Sequence, residues 1–328
     1  MESERIISYK NIEDNNCYGY SQKFVDEHFE LEYVSQNVYR SIKLKRRMDG
    51  IDVVFGGNLC AQSLCAAEKS VPSNFKPHSL HSYFILSAKP EDPVYFHVTI
   101  LKDNRSFVSR IVEAKQYDKL VYYCTISFHV KEESSIEHQI KMPKVKMPEE
   151  LKNTVELADK YLLDERYDII RLKPHVKKIL LDKLRDYRDD AQPFEARPVS
   201  PEHYFGLISY VGEPILLWVK AKDVLKDIDA YHRYLTAYIS DYTLVYAADR
   251  QHVSHGYEPS MYFSLDHHIW FHEYNFRADE WLLYENRSTV ARNGRAYAEG
   301  RFWTKDGKLI VSTAQESLNR TRNSKSKL

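Results

Sequence analysis

Residues 234–248 read YLTAYISDYTLVYAA, and this stretch decides the fold. Between Arg233 and Asp249 it carries one charge, Asp241, set among apolar and aromatic side chains. A helix with almost no polar face is expected to be buried. A lone carboxylate taken into a core is strongly destabilised unless it lies at a wet cleft with hydrogen-bond partners or is protonated. Either case makes Asp241 a candidate for chemistry. The competing reading places it at a helix bend, facing water.

A second apolar stretch, NLCAQSLCAA, uncharged from Asn58 to Ala67, follows Gly56 and Gly57 and reads as another buried helix. Before it, the alternation in LEYVSQNVYRSIKL predicts a first strand, and residues up to about Glu30 read as a poorly patterned polar extension. After it come four segments of strand character: LHSYFILS, VYFHVTILK, SFVSRIVEAKQ and KLVYYCTISFHV. In the last, Leu120, Tyr122, Cys124, Ile126, Phe128 and Val130 share one face. A strand, a buried helix and a run of antiparallel strands make an α+β unit whose sheet wraps the helix. From Lys131 to about Pro193 charged segments of helical period follow, with Leu151, Val155, Ala158 and Leu162 on one face and Val176, Leu180, Leu184 and Tyr187 on another. They read as a connector without chemistry.

From Phe194 the first pattern returns around Asp241, which indicates an internal repeat. SLHSYF at Ser79 answers SLDHHIWF at Ser264, DNRS at Asp103 answers ENRS at Glu285, and DKLVYYCTISF answers GKLIVSTAQES. Pairing Lys119 with Lys308 sets Gln315 opposite Ile126, so the second copy carries a polar amide where the first has an apolar residue. Two polar departures from an apolar template, Asp241 and Gln315, fall in one copy and point to one site. The plainer alternative is a buried polar pair that satisfies itself. The division expected is an extension over 1–30, a first unit over 31–131, the connector over 132–193 and a second unit over 194–328.

The chain has 328 residues, 43% hydrophobic and 13% aromatic, enough to fill two ordinary cores. Lys plus Arg and Asp plus Glu number 47 each, so no overall basic field argues for nucleic acid or an anionic membrane. No apolar run reaches the length of a membrane span, and MESERIISYKNIEDNN has no signal-peptide core, so a soluble protein outside the usual secretory route is expected. Cys17, Cys60, Cys65 and Cys124 form no CxxC pair, which suits a reducing compartment. Ser326, Lys327 and Leu328 spell a peroxisomal address read by an import receptor, which is the expected protein partner.

A helix wrapped by an antiparallel sheet, occurring twice, resembles the double hotdog fold. VFGGNLCAQSL with LHSYF in the first copy, and YISDYTLV, SLDHHIWFH, EWLLY and DGKLIVSTAQES in the second, resemble the acyl-CoA thioesterase II family. The resemblance covers about residues 31–130 and 194–320. It implies hydrolysis of a fatty acyl-CoA substrate to free acid and coenzyme A, with no cofactor. Carried over by position, the family's catalytic aspartate falls on Asp241, its glutamine on Gln315 and its threonine on Ser264, which keeps the hydroxyl. Gly56, Gly57, Asn58 and His81 fall on expected substrate-binding positions, with Asn58 standing where the family commonly has glutamine. Oligomeric state stays open, a homo-oligomer included.

Other chemistries fare less well on these residues. No G-x-S-x-G occurs, so the nucleophile elbow of serine hydrolases is absent. Asp266, His267, His268 and His272 lack the spacing of a zinc motif, and they read as core or cleft-lining side chains; no metal is expected. A non-catalytic acyl-CoA sensor and a hotdog hydratase remain the alternatives, since fold does not fix function.

Overall fold

A computed structural model describes residues 19–48, 51–163, 174–187 and 192–321. The first unit runs β1 (Leu31–Ser35), β2 (Val38–Ser41), β3 (Arg46–Met48), β4 (Ile51–Val54), α2 (Gly56–Glu68), β5 (Phe75–Phe84), β6 (Tyr95–Asp103), β7 (Phe107–Gln116) and β8 (Lys119–Val130). The second runs β9 (Phe194–Pro198), a short α5 (Pro201–Tyr204), β10 (Ile215–Ala221), α6 (Asp229–Leu244), β11 (Pro259–Ser264), β12 (Asp266–Phe271), β13 (Leu282–Arg292), β14 (Arg295–Thr304) and β15 (Leu309–Thr321). Between them lie α3 (Thr154–Leu163) and α4 (Pro174–Tyr187), and α1 (Tyr20–His28) precedes both units.

Each unit is an antiparallel sheet around one helix, and the two sheets are continuous. The strand order is β1-β2-β6-β7-β8-β5-β12-β15-β14-β13-β10-β9, with β11 also on β15 and β3–β4 forming a separate two-stranded ribbon. The seam is β5 against β12, where His81 pairs with His268. A pseudo-twofold axis therefore passes between these two residues and relates the units: a double hotdog, α+β as the sequence implied.

Register tests the repeat residue by residue. His81 pairs with Thr125 on β8, and His268 pairs with Ala314 on β15. Thr125 and Ala314 are thus equivalent, and the next residues are Ile126 and Gln315, as the Lys119–Lys308 pairing required. The DNRS–ENRS match fails. Asp103 pairs with Val108 and its counterpart by register is Ala291, which pairs with Ala296, so Glu285 lies mid-strand and not at the turn. Four polar residues near a hairpin are too little sequence to fix a register.

α2 and α6 are buried along nearly their whole length, from Gly57 to Ala67 and from Tyr231 to Leu244. Neither has a polar face to turn to water, so each is stable only inside its sheet and against the other. The segment read as an extension differs from expectation. Its residues 20–28 form α1, which buries Phe24 and Val25 and sets Phe24 edge-on to Tyr238 of α6. Its apolar positions are too few for a periodic signal. Hydrogen bonds from Ser21 to Asp223 and from Lys226 to Gln22 hold it to the second unit instead. In the connector α4 buries Val176, Leu180 and Leu184 as expected, whereas α3 buries Thr154, Leu157, Ala158 and Tyr161, rotated from the face the spacing suggested. Thr154 draws the helix round by donating to the carbonyl of Ala196 on β9.

Candidate active site

Three elements of the second unit converge beneath the first. Asp241 projects from α6 and is 4% exposed. Ser264, at the end of β11, donates through Oγ to Asp241 Oδ1 at 3.1 Å, and Gln315 Nε2 on β15 donates to the same oxygen at 2.8 Å. Gln315 Nε2 also bonds Ser264 Oγ. The predicted catalytic trio is brought together, and one carboxylate oxygen takes both donors.

Ser264 reaches inward because of a register fault. Along β15, Ser264 pairs with Ser317 and His268 with Ala314, so one residue is extra around Leu265. Side chains alternate with period two, and a one-residue slip turns the strand's faces over. His267 and Ile269 of β12 point into the core, and without the slip Ser264 would point out.

The other carboxylate oxygen faces the first unit. A Cβ built on Gly56 would stand 2.7 Å from Asp241 Oδ2 and from the Phe84 ring, and one on Gly57 would stand 2.5 Å from the carbonyl oxygen of Tyr238. At Gly57 the obstacle is backbone, so only glycine there lets α2 come this near α6, and at Gly56 the missing side chain leaves room for the Asp241 carboxylate. The N-cap residue, Phe55, offers no side-chain acceptor to the first amides of α2; the Gly57 amide bonds Asp241 instead. A carboxylate at a helix amino end is favoured by charge and by the amides left without intrahelical partners. Burial nevertheless outweighs these aids and pushes the Asp241 pKa up to about 6; Gln315, the charge of Arg47, Ser264 and the Gly57 amide pull it back down.

Beside the carboxylate lies a cavity of about 260 Å³. Its walls are mostly apolar: Val54, Leu59 and Phe84 from the first unit, Val245, Leu265 and Leu318 from the second. Arg47 and Asp241 are the charged residues on the lining. Nothing in the sequence singles out Arg47, one of several basic residues in KLKRRM. The wall residues Tyr242, Val245 and Tyr246 follow Asp241 closely in the sequence, and Val245, four places on, falls on its helical face.

Two substrate-binding expectations are corrected. Asn58 is fully buried away from the cavity lining; its Oδ1 accepts from Lys45 N at 2.6 Å and its Nδ2 donates to the His28 carbonyl at 2.7 Å, so it ties α2 to the chain before β3 and to the end of α1. His81 lies on the outer face of β5, opposite the inward Leu80 and Ser82, with Nδ1 3.2 Å from His268 Nδ1 and its ring beside Trp270. Alternation along the strand decides this, and a motif match does not report face. Residues 326–328 fall outside the described residues.

The histidine cluster does not converge. His268 turns outward toward His81 and Asp266, His272 bonds Ser312, and His267 is buried with Nε2 2.7 Å from Ser240 Oγ. Burial pushes the His267 pKa down to about 3, so it is neutral. Ser240 Oγ donates to the Ala237 carbonyl at 2.8 Å, leaving Nε2 as the donor to Ser240. That orientation is the reverse of a base taking a nucleophile's proton, and Ser240 is fully buried.

The crossing related by the pseudo-twofold axis is filled. There the end of α2 meets the start of α6, and Glu68 accepts from Arg233 at 3.0 and 3.2 Å and from the Tyr234 hydroxyl at 3.0 Å. A carboxylate so paired has its lone pairs committed.

Comparisons with known proteins agree with this architecture. Residues 44–129 match the family described as acyl-CoA thioesterase N-terminal domain, and residues 182–318 match the acyl-CoA thioesterase C-terminal domain. The chain is 36% identical over 297 residues to acyl-coenzyme A thioesterase 8 of Mus musculus, covering 89% of this chain and 87% of that one. It is 28% identical over 295 residues to peroxisomal acyl-coenzyme A thioester hydrolase 1 of Saccharomyces cerevisiae, covering 80% and 84%. The crystal structure of an acyl-CoA thioesterase II from Mycobacterium marinum superposes with a TM-score of 0.70 at 28% identity, covering 91% of this chain and 99% of that one.

Proposed function

This chain belongs to the acyl-CoA thioesterase II family and hydrolyses acyl-CoA thioesters, and we propose that it does so with water deprotonated by Asp241. The observation that carries the reading is the asymmetry of the carboxylate: Ser264 and Gln315 both hold Oδ1, and Oδ2 faces Gly56 beside the cavity. Oδ2 takes a proton from water. The hydroxyl oxygen bonds to the thioester carbon, the carbon–sulfur bond breaks, and coenzyme A leaves as a thiolate that recovers the proton. Ser264 and Gln315 fix the angle of the base, and a fixed base avoids the entropy of finding its water. A pKa of about 6 keeps Asp241 ionised at neutral pH yet basic enough to accept a proton.

The carbonyl oxygen gains negative charge as the water adds, and the amino end of α2 favours that charge: with the Gly57 amide given to Asp241, the donor is the Gly56 amide. Gly56 thus acts in substrate binding through its backbone, and Gly57 by letting α2 approach α6. The acyl chain lies along the apolar wall of Leu59, Phe84, Val245 and Leu318. Release of free thiol from a series of saturated acyl-CoAs, by the native protein and by Asp241→Asn, tests the reading. An Asp241→Asn protein with most of its kcat would refute it.

The division proposed is a first hotdog unit over 31–131 that supplies walls and helix amides, the connector over 132–193, and a second unit over 194–328 that supplies the base. The working compartment proposed is the peroxisome, on the strength of Ser326, Lys327 and Leu328 and of a yeast relative described as peroxisomal.

A further inference from the structure

Arg47 is one of the two charged residues on the cavity wall, and the other, Asp241, is the proposed base. It stands on β3, in the small ribbon of the first unit, and reaches across to β11 of the second. Its Nη2 donates to the Tyr262 carbonyl at 3.0 Å, and its guanidinium lies 5.1 Å from the Tyr262 ring centre and 5.4 Å from that of Phe263. These two residues immediately precede Ser264. Contact with two aromatic faces and a carbonyl fixes a planar guanidinium far better than an ammonium.

We infer that Arg47 is a positioning residue for the reaction: from the first unit it supplies the counter-charge to Asp241 and pins the strand that presents Ser264. The groups facing Asp241 are Gly57 and Cys60 from α2, Arg47 from β3, Ser264 from β11, Tyr284 from β13 and Gln315 from β15. Burial pushes the Cys60 thiol up to about 12 and raises the Tyr284 hydroxyl, so both are neutral near pH 7. Ser264 and Gln315 carry no charge, and His267 on β12 is neutral and turned to Ser240. Arg47 is then the cation among these groups. In a mostly apolar cavity a single opposite charge is screened little by water or salt, and it favours the ionised carboxylate.

The inference rests on Asp241 being the base, and the experiment separates the two. The pH dependence of kcat/KM for lauroyl-CoA is measured by thiol release for the native protein, Arg47→Gln, Arg47→Met, Arg47→Lys and Asp241→Asn. The native acid limb is expected near pH 6. In both neutral variants it moves up by roughly half a pH unit or more, so the loss of activity is about twofold or more larger at pH 6 than at pH 8.5. Arg47→Lys keeps the limb in place while losing rate at every pH, because the charge stays and the stacked contact goes. An unmoved limb in Arg47→Gln and Arg47→Met, with Asp241→Asn inactive, overturns the role of Arg47 alone. A limb that moves equally in Arg47→Lys also overturns it, since charge is then not the cause. An active Asp241→Asn overturns the general-base reading and the inference with it. Arg47 is only partly buried, so a neutral side chain there leaves the core packing in place.

Discussion

Replacing Asp241 by asparagine should abolish catalysis and stabilise the fold at the same time. The pKa of Asp241 is about 6 in the fold against 3.8 ordinarily, so the folded chain holds this proton more tightly than the unfolded one. The sign follows from linkage: the contribution to stability is complete below pH 3.8 and is lost as pH rises through 6. Above that, ionised Asp241 costs about 3 kcal/mol, at about 1.4 kcal/mol per tenfold in the proton equilibrium. Asparagine never ionises and escapes the cost. It keeps an oxygen for Ser264 and Gln315, but its NH2 meets the Gly57 amide donor-to-donor, which returns about 1 kcal/mol. The net expectation at pH 8 is a gain of about 1–2 kcal/mol, a rise in Tm on the order of 2 °C, and a loss of kcat of about 10²-fold or more. Thermal unfolding at pH 8 and pH 5, beside thiol release, measures both. The gain should shrink at pH 5. A variant less stable than the native protein at pH 8, with the same difference at pH 5, would refute the claim that burial dominates the energetics of this carboxylate.

The remaining predictions concern the two glycines, the repeat and the address. Gly57→Ala meets the backbone carbonyl of Tyr238, which cannot yield, so it should separate α2 from α6 and lower Tm markedly; Gly56→Ala meets the ends of two side chains and should lower kcat at nearly native stability. Gln315→Ile, restoring the residue at the equivalent Ile126, should fold and lose kcat by roughly 10²-fold. Ile126→Gln buries an amide at a position with no exposure and should cost roughly 2–4 kcal/mol with its chemistry largely intact; urea unfolding and thiol release separate the two. Deleting Leu328 should move a tagged protein from peroxisomes to cytosol by microscopy without changing activity in vitro, and unchanged import would place the signal elsewhere.

The sequence by itself determined the two buried apolar helices, most of the strands and the equivalence of Ile126 with Gln315, because burial and alternation leave a periodic trace in composition. It also marked Asp241, since one charge in an apolar helix stands out from its neighbours. Tertiary structure alone decided four things. The slip at Leu265 that turns Ser264 inward depends on pairing with β15, and pairing register is not written in one strand. His81 proved to face outward and Asn58 proved to be a tie between α1, α2 and the chain before β3, because a motif match carries residue type but neither face nor partner. α1 is held by hydrogen bonds to the loop after β10, some 200 residues away, and leaves no local period. Arg47 acquires its place only when the ribbon of the first unit closes over β11 of the second, since the field at a carboxylate is set by charges near in space, whatever their distance along the chain.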